Sequence, residues 1–133
     1  MIPGGLNFRA KMLLVVSSAP LNSPGIRREL ARLASSGRTR RVAFSRDAPT
    51  DWRPQQVIDQ RCGTYFTEPG AWEFIVELIE ADHPINVVDL THPPGKKGYV
   101  LIVEGCSGEA DVYIKLQISS GAVYGRSFHL SIY

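Results

Sequence analysis

The sequence predicts an α+β domain, with N-terminal helices packed on a C-terminal antiparallel β-sheet. Three observations carry that expectation. Two stretches before residue 82 place apolar side chains at helical spacing. Four stretches after residue 84 are rich in β-branched and aromatic residues and are separated by turn residues. Helices precede the strands rather than alternating with them, which sets the pattern apart from a parallel α/β sheet. The 133 residues fit a single domain, 1–133, able to bury a core without disulfides or metals.

Residues 1–11, with Gly4, Gly5, Asn7 and Lys11, read as a flexible terminus, so that Met1 and Met12 are both candidate starts. Met12 to Ser18 reads as a short strand. Its apolar run, Met12 to Val16, is too short to span a bilayer, and Ser17, Ser18 and Pro20 interrupt it without a small-x-small cleavage site. The expectation is a cytoplasmic protein with no membrane partner.

A helix opens at Ser23-Pro24, where the serine caps a free backbone N–H and proline suits the first turn. Ile26, Leu30, Leu33 and Ala34 follow helical spacing, Gly37 ends the pattern, and Arg27, Arg28 and Arg32 fall largely on the exposed side. Thr39 to Arg46 alternates around Val42 and Phe44 until Asp47-Ala48-Pro49-Thr50 breaks it. Pro54 to Arg61 reads as a short helix with Val57 and Ile58 inward. Pro69 to about Ala81 is a second amphipathic helix, with Trp72, Ile75, Val76 and Ile79 on one stripe and Glu68 and Glu73 near its positive end. Strands are expected at Ile85–Leu90, Tyr99–Glu104, Asp111–Ile118 and Ala122–Ile132, with loops at Thr91–Gly95 and Gly105–Glu109.

Charge is unevenly spread. Residues 1–61 hold eleven Lys or Arg against four Asp or Glu, residues 62–84 hold five acids and no Lys or Arg, and residues 85–133 hold four of each. A basic N-terminal half suits a polyanionic partner, although a solvated basic face has the same composition. Cys62 and Cys106 have no Cys or His nearby at ligand spacing, so reduced, partly buried thiols are expected and no metal or cofactor.

The last two strands carry the chemistry. Val112, Ile114, Leu116 and Ile118 alternate with Asp111, Tyr113, Lys115 and Gln117; Phe128, Leu130 and Ile132 alternate with Ser127, His129 and Ser131. A slip of one residue would flip a whole strand, so both apolar sets must share one face. A three-residue loop, Ser119-Ser120-Gly121, meets that condition and sets Tyr113 opposite Ser127, Lys115 opposite Gly125 and Asp111 opposite His129. The outer face then displays Tyr113, Lys115, Gln117 and His129. Strict alternation puts Arg126 on the apolar side, unless it starts the strand beyond the core or a bulge near Gly125 turns it outward.

Those groups suit metal-independent RNA cleavage. A base takes the proton of the ribose 2′-OH, which attacks the adjacent phosphate; an acid protonates the departing 5′-oxygen; a cation steadies the phosphorane. The candidate catalytic residues are His129 as acid or base, Tyr113 as proton donor or stacking partner, and Lys115 and Arg126 for charge. Candidate RNA contacts are Lys96 and Lys97 in the Pro93–Gly98 loop, Gln117 and Ser127 on the ribbon, and Arg38, Arg40 and Arg41 in the basic segment. Each also has an ordinary reading: a strand histidine paired with Asp111, solubilising residues on an open sheet, common strand aromatics, a solvated turn. His92 reads as a functionless loop histidine.

Pro93-Pro94-Gly95-Lys96-Lys97-Gly98-Tyr99-Val100, Val112-Tyr113-Ile114-Lys115-Leu116 and Gly125-Arg126-Ser127-Phe128-His129 together resemble the MqsR-like toxins of bacterial type II toxin–antitoxin systems, within the wider RelE/barnase-like ribonuclease fold. The resemblance covers roughly residues 70–133. It implies an mRNA interferase that needs no metal or cofactor, acts on mRNA (free or ribosome-bound) and is neutralised by a cognate antitoxin; it leaves a homodimer open. It implies that Tyr113 matches the toxin's active-site strand tyrosine and Lys96 or Lys97 its upstream lysine, while His129 with Arg126 would be this chain's own acid–base solution. The toxin's basic C-terminal tail has no counterpart here, nor does the Arg38–Arg46 segment have one in the toxin. Two other readings stand beside it: a non-catalytic RNA- or protein-binding regulatory module using the basic half, and an immunity or antitoxin-type partner whose acidic 68–82 helix mimics nucleic acid.

Overall fold

The computed structural model describes residues 18–42, 50–91, 94–107 and 110–131, apart from the side chains of Cys106 and Ser107. The expected Met12–Ser18 strand, Phe44, Arg46, His92 and Ile132 therefore lie wholly or largely outside the described residues. The fold is α+β: among the described residues, two helices cover one face of a seven-stranded, mostly antiparallel mixed sheet. Among the described residues no helix is long and apolar enough to cross a membrane.

Strand β1 (Ser18–Pro20) leads into α1 (Pro24–Ala34), whose cap is the expected one: the Ser23 side chain accepts the Ile26 N–H at 3.1 Å. Leu30, Leu33 and Ala34 are fully buried. The helix stops at Ser35 rather than running to Gly37, because the Ser35 N–H and hydroxyl both donate to the Ala31 carbonyl and close the last turn. Arg27 is not on the exposed side as expected. Its guanidinium donates to the Ile79 and His83 carbonyls, satisfying the end of the second helix from the first.

Two-residue strands β2 (Arg40–Arg41) and β3 (Asp51–Trp52) follow, then a single 3₁₀ turn over Pro54–Gln56 and a small hairpin of β4 (Ile58–Asp59) and β5 (Thr64–Tyr65). The expected helix over 54–61 does not form. Gly63, at a φ of 81°, lets the chain reverse, and Asp59 accepts from both the Arg61 backbone N–H and its guanidinium. That guanidinium holds the Asp59 carboxyl below the usual carboxylate range, also pairs with Glu77 and lies over Phe66 and Phe74. Val57 is buried as expected, whereas Ile58 is only half-buried. Cys62 is exposed, not partly buried, with its Sγ 3.3 Å from the Thr64 hydroxyl. Helix α2 (Glu68–Glu80) is capped by Thr67, which accepts the Gly70 N–H, and buries Ala71, Trp72, Ile75 and Ile79.

The remaining strands form an antiparallel meander: β6 (Asn86–Asp89), β7 (Lys97–Ser107), β8 (Ala110–Ser119) and β9 (Ala122–Ser131). The expected Gly105–Glu109 loop is mostly strand, since β7 runs to Ser107 and meets β8 again at Ser107–Ala110 after a register shift. The full order is β1-β6-β7-β8-β9-β2, and β3 also pairs β9. Both β2 and β3 run parallel to β9, so the sheet is mixed rather than wholly antiparallel. Strands of two residues are too short to show a period of two, so neither they nor their direction is visible in hydrophobic patterning. The helices cover the face bearing Tyr99, Leu101, Val112, Ile114, Leu116, Val123 and Phe128.

Candidate active site on the terminal ribbon

The β8–β9 turn has two residues, Ser120 and Gly121, both at positive φ (54° and 74°), as a tight hairpin of this hand requires. This corrects the three-residue loop. Continued unbroken from the Ser119–Ala122 pair, that register would set Phe128 opposite Tyr113 and put the apolar residues of the two strands on opposite faces. The ladder instead shifts: Leu116 pairs with Gly125 and Lys115 with Ser127, leaving Arg126 as the extra residue of a β-bulge. The bulge restores the parity demanded by the core, with Ile114 opposite Phe128 and Val112 opposite Leu130.

The pairs expected from pattern are therefore displaced by two residues. Tyr113 faces His129 rather than Ser127, Lys115 faces Ser127 rather than Gly125, and Asp111 faces Ser131 rather than His129. Asp111 is buried and accepts the Gly105 N–H.

The bulge explains Arg126. Tyr113, Lys115, Arg126 and Ser127 line one cleft of about 350 Å³, with Asp51 and Asp89 also in its walls. Arg126 and Ser127 are 5% and 6% exposed and Tyr113 and Lys115 are half-buried, so this cleft is recessed and not the solvated surface that alternation suggested. Burial lowers the pKa of the Lys115 ammonium, and the Arg126 guanidinium beside it lowers it further; burial lowers Arg126 as well. The half-buried Lys115 and the buried Arg126 thus share one cleft, whose walls also carry the Asp51 and Asp89 carboxylates.

His129 adjoins that cleft. Its ring stacks on Tyr113 with centroids 5.4 Å apart and planes 22° from parallel. Its Nδ1 is 2.8 Å from the Leu130 carbonyl, and its Nε2 is 3.3 Å from the Asp51 carboxylate. Asp51 in turn accepts from the Arg53 guanidinium at 2.8 Å. Neither Asp51 nor Arg53 was singled out in the sequence. The available signal was slight: a tryptophan flanked by Asp51 and Arg53 after a turn-rich stretch, which alternates in-out only once β3 is known.

The other candidates are more dispersed. Gln117 lies opposite Tyr124, toward the hairpin tip. Lys97 is paired with Asp89 across β6–β7, while Lys96 is exposed in the preceding turn and its carbonyl accepts the Leu90 N–H. Arg38 and Arg41 are exposed near the β9 edge. Arg40 points to the helix side, donating to the Ala34 carbonyl with its guanidinium 5.9 Å from the Trp72 ring centroid. On the acidic helix, Glu68 accepts both the Trp52 and Trp72 indole N–H groups and Glu77 binds Arg61, so two of its carboxylates are engaged within the chain.

Comparisons with protein-family models, with curated proteins and with solved structures find no match to this chain.

Proposed function

We propose that the chain is a metal-independent endoribonuclease, acting on mRNA as the toxin of a toxin–antitoxin pair, with a RelE/barnase-like arrangement of its helices and sheet. The observation that carries this reading is the grouping of Lys115, Arg126 and Tyr113 in one recessed cleft, with His129 stacked on the tyrosine. A phosphodiester placed between the two cations has its charge offset as it becomes a phosphorane. The 2′-oxygen bonds to phosphorus as its proton passes to a base, the P–O5′ bond breaks, and the 5′-oxygen takes a proton from an acid. His129 serves proton transfer, Tyr113 stacks on a base or donates, and Lys115 and Arg126 hold the phosphate.

Incubating purified protein with mixed RNA in EDTA and mapping the fragment ends tests this. Cyclic 2′,3′-phosphate termini, abolished by His129→Ala with RNA affinity retained, support it. Intact RNA from folded protein retires it. Growth arrest on expressing the chain alone, relieved by an adjacent small gene, bears on the toxin role. A second reading, RNA binding without cleavage, draws on the exposed Arg38 and Arg41. It expects no fragments, and affinity lost when those arginines are removed.

A further inference from the structure

We propose that Asp51 is the positioning residue for His129, an assignment that deepens the ribonuclease reading and rests on it. The two residues are far apart in sequence and meet because β3 docks in parallel beside β9, with Asp51 in register with Ser127 and Trp52 with Phe128.

That strand is only two residues long, yet it is firmly anchored. Trp52 turns into the core, donating its indole N–H to Glu68 at 2.9 Å and lying 5.0 Å from Trp72 and 5.4 Å from Phe128 between ring centroids. Arg53 donates its backbone N–H to the Phe128 carbonyl at 2.8 Å. Alternation along the strand therefore drives the Asp51 side chain to the opposite face, where the cleft lies. The Arg53 guanidinium grips both carboxylate oxygens, donating from Nε to Oδ1 at 2.8 Å and from Nη2 to Oδ2 at 3.2 Å, and so fixes the carboxylate whose Oδ2 lies 3.3 Å from His129 Nε2.

The imidazole is thus restrained three ways: at Nε2 by Asp51, at Nδ1 by the Leu130 carbonyl, and on its flat side by Tyr113. Both ring nitrogens face oxygen acceptors, and both hydrogen bonds exist together only when the ring carries two protons. Asp51 lines the cleft, so the carboxylate that meets Nε2 is itself part of the cleft wall. At 3.3 Å the contact is longer than a good charge-assisted bond. A side chain kept ready in this way spares the reaction the search through its rotamers.

The test uses the full chain and compares Asp51→Ala, Asp51→Asn and Asp51→Glu on an RNA substrate, with His129→Ala and the Asp51→Ala/His129→Ala pair alongside. Positioning predicts kcat down about 10²-fold in Asp51→Ala with KM nearly unchanged, partial recovery in Asp51→Glu, and a double variant no slower than His129→Ala. Nitrogen NMR of the His129 ring in RNA-free protein supplies a readout independent of cleavage: the Nε2 resonance moves in Asp51→Asn while melting temperature holds. Unchanged kcat and unchanged His129 resonances, in a chain whose wild type cleaves RNA, overturn the positioning role and leave the ribonuclease reading intact. A rise in KM with kcat preserved also overturns it, making Asp51 a substrate contact. A wild-type chain that cleaves no RNA overturns both.

Discussion

Gly125 lies directly against the ring of Trp52: a Cβ built at residue 125 would fall 2.4 Å from the indole. The contact joins the bulge that turns Arg126 into the cleft to the strand that delivers Asp51, so the packing of one tryptophan bears on both sides of the site.

Gly125→Ala is expected to push Trp52 out of its seat. The overpacking cost is about 1–3 kcal/mol, read as a lower midpoint of denaturant unfolding with altered tryptophan fluorescence. Anion binding in the cleft should weaken in the same variant. An unchanged midpoint would mean that the indole yields freely.

Glu68 is a shared acceptor for the Trp52 and Trp72 indoles, at 2.9 and 3.0 Å. Glu68→Ala leaves both partly buried N–H groups without it, at about 1–3 kcal/mol for a buried donor. Glu68→Gln keeps one acceptor oxygen and should lose less. Urea unfolding monitored by fluorescence separates the two, and equal losses would assign the effect to packing.

Lys115 sits beside Arg126 with its pKa lowered by burial and by that neighbour. Lys115→Met should therefore raise the melting temperature while weakening phosphate or RNA binding. The pH dependence has a definite sign. In the alkaline range between the lowered native value and the ordinary 10.5, the unfolded chain binds more protons than the native one, so the Lys115 contribution to stability rises with pH. The methionine variant should lose that rise. A profile identical to wild type would show that the ammonium is well solvated.

Tyr113 stacks its ring on that of His129. Tyr113→Phe should preserve the stack, and with it the position of the imidazole, whereas Tyr113→Ala should release it. Proton NMR of the His129 ring reports the difference as loss of the ring-current shift in the alanine variant alone. If cleavage drops equally in both variants, the hydroxyl acts in the chemistry.

The amino-acid pattern by itself determined the parts that depend on local periodicity. Leu30, Leu33 and Ala34 on one helix, and Trp72, Ile75 and Ile79 on the other, occupy the buried faces that a 3.6-residue period assigns them. Val112, Ile114, Leu116 and Phe128 share the core face because a period of two allows no other solution. Parity also placed Tyr113, Lys115 and His129 on one side together. Parity does not fix register, however, since a shift of two residues satisfies it equally. The choice between the Tyr113–Ser127 and Tyr113–His129 pairings fell to a tight turn, a bulge and the Trp52 ring against Gly125, none of which hydrophobic alternation can express. For the same reason Asp51 and the two parallel edge strands were out of reach: a two-residue strand has no period, and its place beside β9 is decided by where one indole buries.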